Sequence, residues 1–270
     1  MIPHRRHLPT DVLTLGARYP LVLAGECAVR AHGLTPRAPR ETPAQEPGEA
    51  PLEEPGGAPL ELPGGAQLGE PGGTRRAGPR RASRAWPLEV ATETSEPMDR
   101  IASVIRQGLS ERGWQVRLLE TDPLSARLLV TDPDTGEERT VDLLKEMFWR
   151  PPVITGLGPA LALEDLIGTK VRALTDRGSA RDVVDVRLAA PDRSFPDLEE
   201  LGRRHAWDEF DLADLQSRLE ATELLDDREF TAGGLPEDAL PALRRWVRAW
   251  ADDIAERLLE EEALRPPAEE

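Results

Sequence analysis

Between residues 38 and 80 the chain repeats an imperfect octapeptide, EPGEAPLE, EPGGAPLE, LPGGAQLG and EPGGTRRAG, and this stretch limits what the rest can build. Proline removes a backbone donor and glycine carries the largest ordering entropy, so such a segment suits neither helix nor sheet interiors. One leucine per unit buries too little apolar surface to offset that entropy, and a stacked repeat array fails for the same reason. The segment is expected to be a disordered insertion, with the fold made by residues 1–37 and 81–270. Loop closure entropy grows slowly with length, so an insertion of this size is tolerable. Its end carries Arg75, Arg76, Arg80, Arg81 and Arg84, a cluster expected to be solvated or to touch RNA or the acidic C-terminal helices.

The 270 residues suffice for one good-sized domain and a smaller one. A single cysteine, Cys27, excludes a disulfide framework and reads as a small buried filler. No long apolar run reads as a membrane span, and MIPHRRHLPTD lacks the apolar core of a signal peptide, so a cytoplasmic protein without membrane contact is expected. The net charge of -16 argues against broad, sequence-independent nucleic-acid binding, which draws its affinity from many cations releasing counterions. A local basic groove is compatible with it.

Periodicity gives a mixed α/β order. Tyr19 to Ala24 is an apolar run of strand length that breaks at Gly25 into a helix-compatible segment, Glu26 to His32. Leu88 to Thr92 reads as a strand, and Ser95 to Arg112 as a helix with Ser95 near its cap and Gly113 after its end. Trp114 to Glu120, Ala126 to Thr131 and Glu138 to Leu144 read as strands, with Asp122, Asp132 and Asp134 in turns. From Phe195 onward the pattern is helical, ending in a long segment from Pro236 to Leu264 with Trp246 and Trp250 as packing anchors.

The stretch with most chemistry is LEDLIGTKVRALTDRGSARDVVDVRLAA, beginning at Leu163. Leu163, Leu166, Ile167, Val171 and Leu174 recur at helical spacing; Gly178 ends that helix and Ser179 caps the next. Lys170 and Arg177 project from one side, and Arg181 and Asp185 fall four apart, where they can pair. A solvated, ion-paired face and an anion site are both compatible with this pattern. Lys145 and Lys170 are the only lysines among 34 basic residues, so a lysine at 170 points to a compact charge suited to phosphate. His4, His7, His32 and His205 have no Cys or His at metal-ligand spacing, and no serine, histidine and aspartate set accompanies a nucleophile motif.

Taken together, VLAGECAVRAHG, TVDLL and GTKVRALTDRGSARDVVDV resemble nucleotidyltransferases of the AbiEii/AbiGii toxin type, within the polymerase-beta-like superfamily. The resemblance covers most of residues 15–190 outside the insertion. It implies a nucleotidyltransferase fold, α/β with a small mixed sheet flanked by helices, followed by a helical domain over 191–270; the core would comprise 1–37 and 81–190. It also implies Mg²⁺-dependent transfer of a nucleotide from an NTP to a tRNA or protein acceptor, and an antitoxin partner. In that frame Gly25 forms the phosphate turn, Glu89 and Asp142 hold metal, Lys170 and Arg181 neutralise phosphate, and Asp185 orients Arg181.

Two residues depart from the family pattern. Glu26 stands where a second small residue follows Gly25; at about 4 Å from a triphosphate and an effective dielectric of about 20 it would cost up to about 4 kcal/mol, less if it swings into solvent. Pro87 stands where the first aspartate of Asp-x-Asp is expected, leaving Glu89 as the second. The alternative expectation is thus a catalytically degenerate protein of the same fold, used as a binding or regulatory module.

Overall fold

In the computed structural model the described residues are 7–34, 87–206 and 208–264. The repeat, its arginines and Ala85-Trp86 lie outside them, as does His4. The elements run α1 (Leu8–Leu15), β1 (Val22–Leu23), α2 (Gly25–Ala31), β2 (Leu88–Thr92), α3 (Met98–Glu111), β3 (Gln115–Thr121), β4 (Ser125–Thr131), β5 (Glu138–Lys145), β6 (Val153–Thr155) and β7 (Gly158–Ala160). Helices follow: α4 (Leu163–Arg177), α5 (Ala180–Ala189), α6 (Phe195–His205), α7 (Leu212–Ala221), α8 (Asp227–Ala232) and α9 (Leu240–Leu264). The expected architecture, a mixed sheet with flanking helices and a helical C-terminal part, is the one observed.

The strands form one seven-stranded sheet in the order β3-β4-β5-β2-β1-β7-β6, parallel at β2/β5 and β1/β7 and antiparallel elsewhere. Side chains alternate across a strand, so register decides which residues share a face. Leu88 and Val90 align with Val141 and Leu143, and these with Leu128 and Ala126; all are buried on one face, with the α3 residues Ile101, Ile105 and Leu109 in the same core. The opposite face carries Glu89, Asp142 and Arg127 in one row, Glu89 beside Asp142 and Asp142 beside Arg127.

A second apolar core lies among the helices and begins on α4 with Ile167, Val171 and Leu174, joined by Val183, Val184 and Val186 of α5 and by α6, α7, α8 and α9. The α4/α6 packing is close because Gly168 has no side chain: a Cβ there would lie 2.4 Å from His205 Cδ2 and 2.5 Å from the Leu201 carbonyl oxygen. Trp250 is fully buried, its ring stacked on Phe195 at 5.6 Å and 5.3 Å from that of Trp246.

Two of the boundaries that differ from those the periodicity predicts have a clear cause in proline. The run from Tyr19 contributes only Val22 and Leu23 to the sheet, since Pro20 has no N–H to give a ladder. Helix α3 begins at Met98 rather than Ser95, because the residue before Pro97 is steered away from helical backbone. Helix α1 and the β6/β7 hairpin are absent from the sequence reading: α1 is a two-turn helix beginning next to proline, and the strands VIT and GPA have no alternation to reveal them. No helix among the described residues is long and apolar enough to cross a membrane.

Candidate functional site

Gly25 opens α2 with φ at +49°, a left-handed conformation that glycine adopts without strain. Space demands glycine too. A Cβ would come within 1.1 Å of Glu89 Oε2, which accepts a hydrogen bond from the Glu26 amide at 3.1 Å. The position that the resemblance assigns to a phosphate is therefore occupied by the chain's own carboxylate. We expect Gly25→Ala to cost about 1–2 kcal/mol from backbone strain alone, with an added cost for displacing Glu89. In urea titrations of a double-mutant cycle, Gly25→Ala combined with Glu89→Ala should recover the second part and leave the first; additive losses would count against the close approach.

The β4/β5 hairpin sets the next contact. Its turn has Asp132 Oδ1 accepting the Asp134 amide, and the resulting register places Arg127 against Asp142. Arg127 Nε donates to Asp142 Oδ1 at 2.7 Å and Nη2 to Oδ2 at 3.3 Å, a bidentate pair that engages both carboxylate oxygens. Arginine 127 is not among the residues the motifs point to, yet the signal was readable: a six-residue turn between Thr131 and Glu138 fixes 127 opposite 142.

Helices α4 and α5 bring in the cations. Gly178, with φ at +61°, closes α4, and Ser179 Oγ accepts the Asp182 amide at 3.2 Å to start α5, as the sequence predicts. This tight corner folds α5 back so that its acidic side faces Lys170. Lys170 Nζ lies 2.6 Å from Asp185 and 3.6 Å from Asp182, and all three side chains are buried. Arg177 forms a bidentate pair with Asp182 at 2.7 and 2.8 Å, and Ser179 Oγ donates to the same carboxylate at 2.5 Å.

The charge states follow from these contacts. Burial pushes Lys170 down, but the carboxylates of Asp185, Glu89 and Asp182 outweigh it and hold the ammonium above its ordinary value. Burial likewise pushes Asp182 up, and Lys170, Arg177 and Ser179 reverse that and hold it below the usual carboxylate range. Glu26 goes the other way: desolvation raises it, and the adjacent Arg181 compensates only in part.

Arg181 is where the structure differs most from expectation. Its close partner is Glu26, on α2, while Asp185 stands 4.0 Å from its Nε and serves Lys170 instead. Asp185 thus orients the lysine more than the arginine, because the α2/α5 packing brings Glu26 closer than the next turn of α5 can. All six predicted residues, Gly25, Glu89, Asp142, Lys170, Arg181 and Asp185, lie in this one network together with Glu26 and Arg177, which the sequence also singles out, and the fold adds Arg127 and Asp182.

A resident Mg²⁺ prefers near-octahedral oxygen ligands and keeps several waters. Glu89 and Asp142 are neighbours in register, but both Asp142 oxygens face a guanidinium, Glu89 Oε2 holds an amide, and Pro87 offers no carboxylate. Among the described residues no three His, Cys, Asp or Glu side chains gather as a metal cluster. This donor set does not fit the ion as arranged.

The remaining candidates have structural roles. His32 donates to the Leu161 carbonyl at 2.8 Å, tying α2 to the segment before α4. His205 is buried, with Nε2 3.2 Å from Asp165, whose carboxylate also accepts the amides of Trp149 and Arg150. Cys27 packs on the sheet core, and burial pushes its thiol up.

No protein-family model and no curated protein matches this chain. Among solved structures it is similar to JHP933 from Helicobacter pylori, at 15% identity over 96% of this chain and 95% of that one, with a TM-score of 0.41. It is likewise similar to a candidate nucleotidyltransferase from H. pylori, at 16% identity over 94% of each chain, with a TM-score of 0.39.

Proposed function

We propose that this chain is a nucleotidyltransferase-type protein of AbiEii/AbiGii character whose transfer site is closed by its own carboxylates, leaving a binding or regulatory module. One observation carries the reading: Glu89 fills the Gly25 turn while Glu26 holds Arg181 and Asp185 holds Lys170. Nucleotidyl transfer needs cations free to neutralise phosphate and carboxylates free to bind metal. Here each set is spent on the other. An incoming triphosphate would have to displace Glu26 and Glu89 and would meet their charge, a repulsion that weakens nucleotide binding.

The rival reading, a working Mg²⁺-dependent transferase, draws on the alignment of Glu89 with Asp142 across β2 and β5. Labelling separates the two. With Mg²⁺ and each of four α-labelled NTPs, total RNA and protein should take up no label from the wild type, and Asp142→Ala should behave identically. Label that the wild type transfers and Asp142→Ala does not would overturn the closed-site reading and identify the acceptor class.

A further inference from the structure

One row of register partners crosses four strands of the sheet: Glu120 on β3 opposes Arg127 on β4, Arg127 opposes Asp142 on β5, and Asp142 aligns with Glu89 on β2. Opposed residues of adjacent strands share a face, with Cβ atoms about 5 Å apart. The row therefore sets one guanidinium among three carboxylates. Glu120 reaches its place because the register of β3 shifts between Leu118 and Glu120; in an unbroken ladder the apolar Leu119 would oppose Arg127. A bulge of this kind re-aims a side chain, and here it adds a third carboxylate around one cation.

The Asp142 side chain is only 12% exposed, and a carboxylate so far withdrawn from water needs a counter-charge. The family resemblance assigns that task to Mg²⁺ held by Glu89 and Asp142. In the structure Arg127 performs it: Nε donates to Oδ1 and Nη2 to Oδ2, so both oxygens face the guanidinium. The hydrogen bond to Asp142 and that carboxylate's charge, joined by Glu120 and Glu89, hold Arg127 above its ordinary value. At the other end of the row Glu89 keeps Oε2 on the Glu26 amide. Neither carboxylate thus turns a full set of lone pairs toward the octahedral oxygen shell that Mg²⁺ prefers.

We propose that Arg127 stands in for a divalent cation at the Glu89 and Asp142 pair, serving as the resident counter-charge of Asp142 and keeping Mg²⁺ and Mn²⁺ out. The inference rests on the closed-site reading above and names the group that closes its carboxylate side. An ordinary cross-strand ion pair differs in its consequence. Its removal changes stability alone, whereas removal of a stand-in cation leaves two aligned carboxylates that take up a divalent ion.

Mn²⁺ titrations of the full chain, read by the electron paramagnetic resonance of unbound Mn²⁺, test this. Wild type and Asp142→Asn should take up the ion equally, through the diffuse negative surface of a chain with net charge -16. Arg127→Met, which keeps much of the stem without its charge, should gain one further site at least about tenfold tighter than any in the wild type, and Mg²⁺ should compete for it. Adding Asp142→Asn to Arg127→Met should abolish that site. Arg127→Gln should gain it too, and replaces the methionine variant if circular dichroism shows the latter unfolded. Folded Arg127 variants with no added site, or with one indifferent to Asp142→Asn, would overturn the stand-in role and leave the closed-site reading standing. A wild type that already binds Mn²⁺ through Asp142 would overturn both.

Discussion

Replacing Asp182 by asparagine should destabilise the fold by about 3–5 kcal/mol, the range for removing one partner of a buried ion pair and leaving the other charge uncompensated. The Asp182 carboxylate is fully buried and meets Lys170, Arg177 and Ser179 at once. An amide keeps the shape and removes the charge, so Lys170 loses one of the two carboxylates within ion-pair distance while remaining buried. Arg177 is more than half exposed, and its share of the pair is screened by solvent. Arg177→Ala is therefore expected to cost no more than about 1 kcal/mol. Equal losses for the two variants in urea unfolding would refute the central place given to Lys170.

The pH dependence of this prediction has a definite sign. Asp182 is held below its unfolded value, so its contribution is whole above about pH 4 and is lost as pH falls through the lower folded value. Lys170 is held above its unfolded value, so its contribution is whole below about pH 10 and is lost only as pH rises further. The stability gap between wild type and Asp182→Asn should accordingly be flat through neutrality and close on acidification. A gap that instead narrowed between about pH 6 and about pH 8 would count against this assignment of the charges.

Trp250→Ala should cost about 3–5 kcal/mol, the second of the two largest effects. The side chain is fully buried, stacks on Phe195 within 5° of parallel, and donates from Nε1 to Glu199 at 2.9 Å. Glu199 keeps Arg257 Nη2 at 2.6 Å when the tryptophan is removed, so most of the loss is cavity and packing. Trp250→Phe should retain the stacking and lose clearly less. Trp246, which is only half-buried, should tolerate alanine better than Trp250 does, and calorimetric melting of the three variants decides the order.

Much of this architecture is legible without coordinates because its signals are local. The Gly178-Ser179 corner combines a left-handed helix end with a cap acceptor, and both act within a few residues. Alternation in Ser125–Thr131 and Glu138–Lys145 marks one buried face, and the turn length between them fixes which residues oppose. Gly25, Glu89, Asp142, Lys170, Arg181 and Asp185, the candidate residues named from the sequence, are brought into one neighbourhood by the fold. Helix α1 and the β6/β7 hairpin could not be read there, because Leu8–Leu15 is short and the two small strands take their conformation from the neighbours they join.

What residue types and their periodicity determined here is the order of most helices and strands and the set of charges that could meet. Which charge meets which was decided by tertiary packing. Arg181 and Asp185, one helical turn apart, were available to each other by local geometry, yet α2 docking against α5 gives Arg181 to Glu26 and frees Asp185 for Lys170. Coulomb energy falls with distance and depends steeply on burial, so a shift of about an ångström in how two helices pack reassigns partners that spacing along one helix cannot. The same packing sets Glu89 in the Gly25 turn, a contact across 63 positions of sequence that no local pattern encodes.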